Sequence, residues 1–248
     1  MDKVMIITGG SRGIGAATAR LAATAGYKVC VSYRLDRQSA DAIVDEINRS
    51  GGLATAMQAD VAVETDIVRL FEEVDNRLGP VTALVNNAGI LETQMRVDDM
   101  NAERLARVFA VNVTGSFICA REAVRRMSTK HGGKGGVIIN LSSIAARLGA
   151  PNEYVDYAAA KGAIDTFTIG LAKEVAGEGI RVNAVRPGLI DTDIHASGGE
   201  PNRIERLKHT IPMQRGGLAE EVARAILWLA SEDASYSTGT FVDVSGGR

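Results

Sequence analysis

Two cysteines in 248 residues, Cys30 and Cys119, are too few for a disulfide-stapled scaffold, and their spacing matches neither a zinc nor a redox motif. Cys30 lies in an apolar run and Cys119 in a helix-like stretch, so both read as buried, reduced thiols. An excess of either charge is also missing. Lys plus Arg is 28 and Asp plus Glu is 30, a net charge of -2 that gives no general attraction for nucleic acid or an anionic membrane. A basic stripe with aromatic platforms is lacking, which argues against a nucleic-acid-binding domain. No apolar run is long enough to cross a bilayer. Met1-Asp2-Lys3 leads straight into a strand-like run with no secretory pattern before it, so a cytoplasmic location is expected. Repeats, low-complexity tracts and composition shifts are absent too. The expectation is one domain over 1–248, long enough to bury a core without disulfides or metals.

What the chain has is alternation. Apolar strand-like runs at 4–8, 28–33, 53–58, 83–86, 136–141, 181–186 and 240–244 are separated by helix-period stretches at 14–26, 38–50, 64–78, 102–129, 155–176 and 219–231. Several of the runs are continuously apolar, as strands covered on both faces of a parallel sheet are. Right-handed strand–helix–strand crossovers then predict an α/β fold, a Rossmann-type doubly wound parallel sheet of seven strands with helices on both faces. Gly177 stands where the 155–176 helix needs a left-handed residue to end. One stretch, 188–217, has no strand and contains the irregular Ser197-Gly198-Gly199-Glu200-Pro201. Long excursions of this kind are often lids or binding loops, so a substrate lid is expected at about 190–215; a plain surface insertion is the alternative.

The first strand is followed by Thr8-Gly9-Gly10-Ser11-Arg12-Gly13-Ile14-Gly15 and a helix. Gly9, Gly13 and Gly15 leave room for a tight turn, for phosphate close to backbone N–H groups, and for the positive end of the helix to face it. Such a turn is a modest signal alone, but it sits between a hydrophobic strand and a helix, the context nucleotide binding requires. The second strand ends in Val31-Ser32-Tyr33-Arg34. An acidic residue there would accept the ribose 2′-hydroxyl of NAD. Arg34 can instead pair with a 2′-phosphate, Arg12 can add a second positive charge, and Asp36 falls past the strand end. NADP(H) is therefore the expected cofactor, against the alternative that both arginines simply extend into water. Asp60-Val61 follows the third strand; the Asp60 carboxylate either accepts a hydrogen bond from an adenine amino group or caps the helix that begins near Glu64. Asn86-Asn87-Ala88-Gly89 ends the fourth strand with small residues that let backbone lie against a cofactor.

Tyr157 and Lys161 share a helix face. A free phenol has a pKa of about 10, too high for an efficient proton carrier at neutral pH, and a neighbouring ammonium and an oxidised nicotinamide both favour the phenolate. Tyr154 has Ala158 in place of that lysine. Ser142 and Ser143 close the fifth strand, at the end where a doubly wound sheet puts its site. Asn112 is a polar residue in an apolar stretch; it either holds a water beside Lys161 or is a buried amide satisfied by backbone. Asp191, Asp193 and His195 alternate, but no wider ligand cluster accompanies them, and no metal is expected; His195 and His209 receive no role. Arg147, near Ser143, faces either an anionic substrate or water.

Together these residues resemble the short-chain dehydrogenase/reductase family over nearly the whole chain. The match comprises the Thr8–Gly15 loop, Asn86–Gly89, Asn112, Ser142-Ser143, Tyr157-x-x-x-Lys161 and Pro187-Gly188, in the family's order. Within the family the chain looks like glucose dehydrogenases and 3-oxoacyl-[acyl-carrier-protein] reductases. The resemblance implies a tetrad of Asn112, Ser143, Tyr157 and Lys161. Tyr157 would be the acid/base, and Lys161 would lower its pKa and hold the nicotinamide ribose. Ser143 rather than Ser142 would orient the substrate oxygen, and Asn112 would support a water relay. It implies dinucleotide contacts at Gly9, Ser11, Arg12, Gly13, Ile14, Gly15, Arg34, Asp60, Val61, Asn87, Ala88 and Gly89. Pro187, Gly188, Ile190 and Thr192 would lie by the nicotinamide, Ile190 through its backbone. It also implies a homotetramer packed through 102–129, 155–176 and the C-terminal strand region. The reaction implied is hydride transfer between NADP(H) and a small-molecule carbonyl or alcohol; the rival is a non-catalytic NADPH-binding or regulatory protein.

Overall fold

The computed structural model describes residues 3–248, and the expected leaderless start at Met1-Asp2 lies outside the described residues. Its strands are β1 (Lys3–Ile7), β2 (Tyr27–Tyr33), β3 (Leu53–Gln58), β4 (Ala83–Asn86), β5 (Gly136–Leu141), β6 (Ile180–Pro187) and β7 (Phe241–Val244). They form one sheet in the order β3-β2-β1-β4-β5-β6-β7, and every pairing is parallel. The strands between helices are the ones read as continuous apolar runs: β1 is buried from Val4 to Ile7, and β4 throughout. Each strand begins and ends within one residue of its expected position.

Helices α1 (Gly13–Thr24), α2 (Arg37–Arg49), α3 (Glu64–Arg77), α4 (Ala102–Phe109), α5 (Gly115–Met127), α6 (Ala145–Leu148), α7 (Val155–Val175), α8 (Ile194–Ser197), α9 (Arg203–Leu207) and α10 (Ala219–Ala230) complete the chain. On one face of the sheet Ala16 and Ala19 of α1, Ile43 and Ile47 of α2, and Val222, Ile226 and Leu229 of α10 pack on Met5, Val29, Val31 and Ile139. On the other, Ile67, Leu70, Phe71 and Val74 of α3, Cys119 and Ala123 of α5, and Ala172 and Val175 of α7 pack on Ile6, Cys30, Leu84 and Ile138. Both cysteines are free and buried; burial pushes their thiols up, Cys119 to about 12.

Two local expectations differ from the structure. The helix expected over 102–129 is broken by a π turn at Ala110–Thr114, and its last turn stops at Met127. At the π turn the Asn112 amide bonds back to the Val108 carbonyl, while Gly115 packs so closely that a Cβ there would sit 2.6 Å from the Val61 carbonyl oxygen. Gly177 does not end α7; a 3-10 turn at Ala176–Glu178 carries the helix on, and Gly179 takes the left-handed conformation with φ of 79°. The stretch 188–217 holds no strand, as expected; it contains α8, α9 and one isolated parallel bridge between Ile190 and Gly217.

Candidate active site

The chain order reverses between β1 and β4, and a doubly wound sheet has its crevice beyond the carboxyl ends of such strands. A cavity of about 850 Å³ opens there, within the range of small-molecule and cofactor sites. At one end it is lined by the turn after β1. Gly9 and Gly13 have φ of 61° and 53°, which L side chains rarely adopt. A Cβ on Gly15 would lie 2.4 Å from the Gly9 carbonyl oxygen. The turn is braced from β4: the Asn87 amide donates to the Thr8 and Gly9 carbonyls at 2.8 and 2.9 Å, and the Asn87 and Ala88 N–H groups donate to the Thr8 hydroxyl at 3.0 Å. Asn87 was read as a cofactor contact through small neighbours; its side chain is already used in holding two loops together.

Arg12 and Arg34 are exposed and line this end of the cavity, and among the described residues neither guanidinium makes an ion pair. Asp36 does not compete for them by position alone. Its carboxylate caps α2, accepting the Ser39 N–H at 3.0 Å, and that bond chiefly holds it below the usual carboxylate range. Asp60 and Val61 line the same end. Of the two readings of Asp60, helix capping is not made: Val63 occupies the N-cap of α3 without a side-chain bond, and Asp60 Oδ1 accepts the Ala62 N–H at 2.9 Å.

At the other end of the cavity α7 presents Tyr157 and Lys161. The Lys161 ammonium lies 5.5 Å from the Tyr157 ring centroid and donates to the Leu141 carbonyl at 2.6 Å. Ser142 and Ser143 point to different tasks. Ser142 is buried, and its hydroxyl donates to the Lys161 carbonyl at 3.2 Å. Ser143 is the more open of the two; its hydroxyl accepts the Ala145 N–H at 3.1 Å and borders the Tyr157 phenol. Asn112, fully buried, follows the second of its two readings as far as its side chain goes: Oδ1 accepts the Ile90 N–H, and Nδ2 donates to the Ile90 and Val108 carbonyls. Gly89 brings these together, since a Cβ there would be 2.8 Å from Asn112 Oδ1 and 3.7 Å from Lys161 Nζ.

The expected phenol acidity is not present in this state. Burial pushes Tyr157 up to about 12, and the Ser143 hydroxyl offsets only part of that; the same burial brings Lys161 down to about 8, with Asp165 opposing. Desolvation disfavours both charged forms and is the largest cause for each. The sequence shows the pair but not the dryness around it.

Pro187, Gly188, Ile190 and Thr192 line the cavity opposite. Gly188 packs on Ser245, and a Thr192 methyl would meet a Cβ on Gly13 at 3.1 Å, so the turn after β6 reaches the phosphate turn. The Ile190 carbonyl, expected beside the nicotinamide carboxamide, accepts from the Thr192 hydroxyl at 3.4 Å and lies 2.9 Å from His195 Nε2. Arg147 follows the second of its readings: it is exposed to water, outside the cavity lining, and pairs with Asp243 at 2.8 Å. Polar partners that local pattern reading missed hold the site from beneath. Asn86 donates to Asn140 at 2.9 Å, and Asn140 to the Thr168 hydroxyl at 2.9 Å, tying β4, β5 and α7. Arg104 of α4 forms a buried pair with Asp156 at 2.7 Å and donates to the Thr93 carbonyl at 2.6 Å.

A glycine cradle that side chains would fill, two unpaired arginines at one end and a phenol, amine and hydroxyl at the other fit a nicotinamide dinucleotide. Residues 9–248 match the family model described as Enoyl-(Acyl carrier protein) reductase. The chain is 57% identical to Uncharacterized oxidoreductase YgfF of Escherichia coli, over 99% of both chains. The chain belongs to the short-chain dehydrogenase/reductase family. Other members similar to it are 3beta-hydroxysteroid dehydrogenase 1 of Eggerthella lenta, 41% identical over 99% of this chain and 93% of that one, and a 3-oxoacyl-[acyl-carrier-protein] reductase of Synechocystis, 40% identical over 99% and 96%. A solved short-chain dehydrogenase/reductase double mutant from Serratia marcescens superposes with a TM-score of 0.91 at 32% identity, covering 99% of this chain and 97% of that one. This short-chain dehydrogenase/reductase is thus an oxidoreductase of a family that uses nicotinamide cofactors.

Proposed function

We propose that this oxidoreductase interconverts a carbonyl and an alcohol with NADP(H), Tyr157 moving the proton. The observation that carries the reading is the single cavity joining Arg12 and Arg34 at one end to Tyr157, Ser143 and Lys161 at the other. The dinucleotide, when bound, supplies or takes the hydride. Arg34, with Arg12 beside it, holds the 2′-phosphate; the turn from Gly9 through Ser11, Gly13, Ile14 and Gly15 holds the pyrophosphate. Asp60 and Val61 meet the adenine, Asn87 to Gly89 back the ribose, and Pro187, Gly188, Ile190 and Thr192 meet the nicotinamide. Ser143 holds the substrate oxygen for Tyr157, which donates its phenolic proton in reduction and takes one in oxidation. Lys161, protonated, would add to the positive charge that the oxidised nicotinamide brings, and the two together would favour the phenolate. Asn112 fixes Ile90 and the π turn with both amide hydrogens and one lone pair of Oδ1, and the second lone pair would serve a water of the relay.

We assign residues 190–215 as the lid over the substrate end of a single domain. We assign a homotetramer to the face where Phe117 stacks on Phe167 with centroids 3.7 Å apart and Phe109 and Ile169 stay exposed. Light scattering that gives a monomer mass contradicts that assembly. Among the described residues no helix is long and apolar enough to cross a membrane, and we place the enzyme in the cytoplasm.

Cofactor choice has its own test. Arg34→Glu removes a charge-assisted partner and sets a carboxylate where the 2′-phosphate would lie. Since hydrogen bonds to charged groups contribute about 1.5–3 kcal/mol, the preference for NADPH over NADH in kcat/KM is expected to fall by at least about tenfold. An unchanged ratio means that Arg34 reaches only water. NADPH binding without turnover of any carbonyl would favour the regulatory rival.

A further inference from the structure

The short-chain dehydrogenase/reductases similar to this chain carry names from three chemistries, a steroid, an acyl thioester and glucose. The wall of this cavity chooses between them. We propose that the substrate is a ketone with a bulky, uncharged, apolar body, or the matching secondary alcohol; this rests on the carbonyl-reductase reading above.

Beyond Tyr157 and Ser143 the cavity is lined by Leu91 from the loop after β4, Leu148 and Pro151 from the segment before α7, and Ile194 and Leu207 from the segment between β6 and α10. The polar groups interleaved with them are already satisfied by one another. Arg203 of α9 is nine-tenths buried and pairs with Glu153 on one side and Glu200 at 2.8 Å on the other. Arg206 binds the same two carboxylates, Glu153 at 2.8 Å, and the Gln94 amide donates to Glu200 at 2.6 Å. This cluster of two arginines and two glutamates carries no net charge. Tyr154 is buried, its hydroxyl donates to the Gly198 carbonyl at 3.2 Å, and Arg203 lies over its ring at 4.9 Å. Both tyrosine and arginine are therefore occupied in fastening the segment over the cavity.

A sugar entering here would set several hydroxyls against the Leu91, Leu148, Pro151, Ile194 and Leu207 side chains, which offer them no hydrogen bond in exchange for water. The buried polar side-chain atom in this lining that has no hydrogen-bond partner among the described residues is His195 Nδ1. Its Nε2 faces the Ile190 carbonyl and must donate, so Nδ1 is an acceptor. That nitrogen is itself buried, so this wall offers a polyol no row of open acceptors. An acyl thioester on a phosphorylated carrier would need cations at this end. Arg147 and Arg203 are neutralised by Asp243 and by the glutamates; beside the catalytic Lys161, Arg248 is the cation at this end for which no ion pair is found among the described residues, and the exposed Asp193 carboxylate shares the lining with it.

The test uses the full chain with NADPH and three carbonyl probes: trans-1-decalone, acetoacetyl-CoA and, in the oxidation direction with NADP+, D-glucose. The decalone is expected to give a kcat/KM at least 100-fold above either of the others. Leu207→Asp, a half-buried change in the wall, is expected to raise KM for decalone at least tenfold with NADPH affinity unchanged. If acetoacetyl-CoA or glucose is the better substrate and Tyr157→Phe abolishes its turnover, the substrate class is wrong and the reductase reading stands. Preference for acetoacetyl-CoA that disappears in Arg248→Ala would identify an anion-binding end and overturn the proposal. NADPH binding with turnover of none of the three overturns both.

Discussion

Tyr157→Phe should lower turnover by about 10²–10⁴-fold, the usual worth of a positioned acid or base, while NADPH binding measured by fluorescence stays within a factor of two or three of the parent. The reasoning is geometric. The ring is held in α7 by a helix whose polar face includes Lys161, and the phenylalanine fills the same space without the hydroxyl. The hydroxyl is not used to hold any element: its one neighbour of note is the Ser143 hydroxyl. Little folding stability should therefore be lost. Turnover within threefold of the parent would mean that another group carries the proton, and Tyr154 would not replace it, because its hydroxyl is bonded to the Gly198 carbonyl.

The second large effect lies one residue earlier. Arg104→Met should destabilise the fold by about 3–5 kcal/mol, measured by chemical denaturation. The Arg104 and Asp156 side chains are only 5% and 1% exposed, so removing the guanidinium leaves a carboxylate in the interior without its counter-charge. A surface pair would contribute little, and burial is what decides the magnitude. Asp156 Oδ1 also accepts the Tyr157 N–H at 2.9 Å, which ties the pair to the first turn of α7. The double change Arg104→Met with Asp156→Asn should recover most of the loss, because it removes the orphaned charge while keeping an acceptor for Tyr157. A loss under 1 kcal/mol in the single variant, or no recovery in the double, contradicts this account of the pair.

Where sequence reading worked, the cause was local. Strand ends were found to within a residue because both faces of a parallel sheet demand apolar side chains, and that demand is written in consecutive positions such as Val4 to Ile7. The Thr8–Gly15 turn was legible because its glycines do what other residues do not, and Tyr157 with Lys161 because four residues make one helical turn. What was not legible depended on partners far along the chain. Asn112 could have held a water or bonded to backbone; Ile90, 22 positions away, decided it, and the π turn came with that choice. Arg104 and Asp156 are separated by 52 positions and by a change of element, so no periodicity links them. The 102–129 helix looked continuous because a π turn preserves helical composition. Arg147 was ambiguous for the same reason, its partner Asp243 lying on the last strand.

The acidity of Tyr157 is the sharpest of these differences, and it bears on mechanism. From sequence, an ammonium one turn away and an oxidised nicotinamide together favour the phenolate. In the structure the pair is dry: the phenol is raised to about 12, the amine is lowered to about 8, and the amine's proton is directed to the Leu141 carbonyl. If Tyr157 carries the proton as proposed, its ionisation at neutral pH would need positive charge to arrive in the cavity, which an oxidised nicotinamide would bring.

Ultraviolet titration of the phenolate reads this directly, as the difference between the parent and Tyr157→Phe with and without NADP+. In the free protein no Tyr157-dependent phenolate should appear at pH about 10, where an ordinary tyrosine is half ionised, and NADP+ should bring it in at least one pH unit lower. A Tyr157 signal at its ordinary position in the free protein, or one that NADP+ leaves unmoved, contradicts the account.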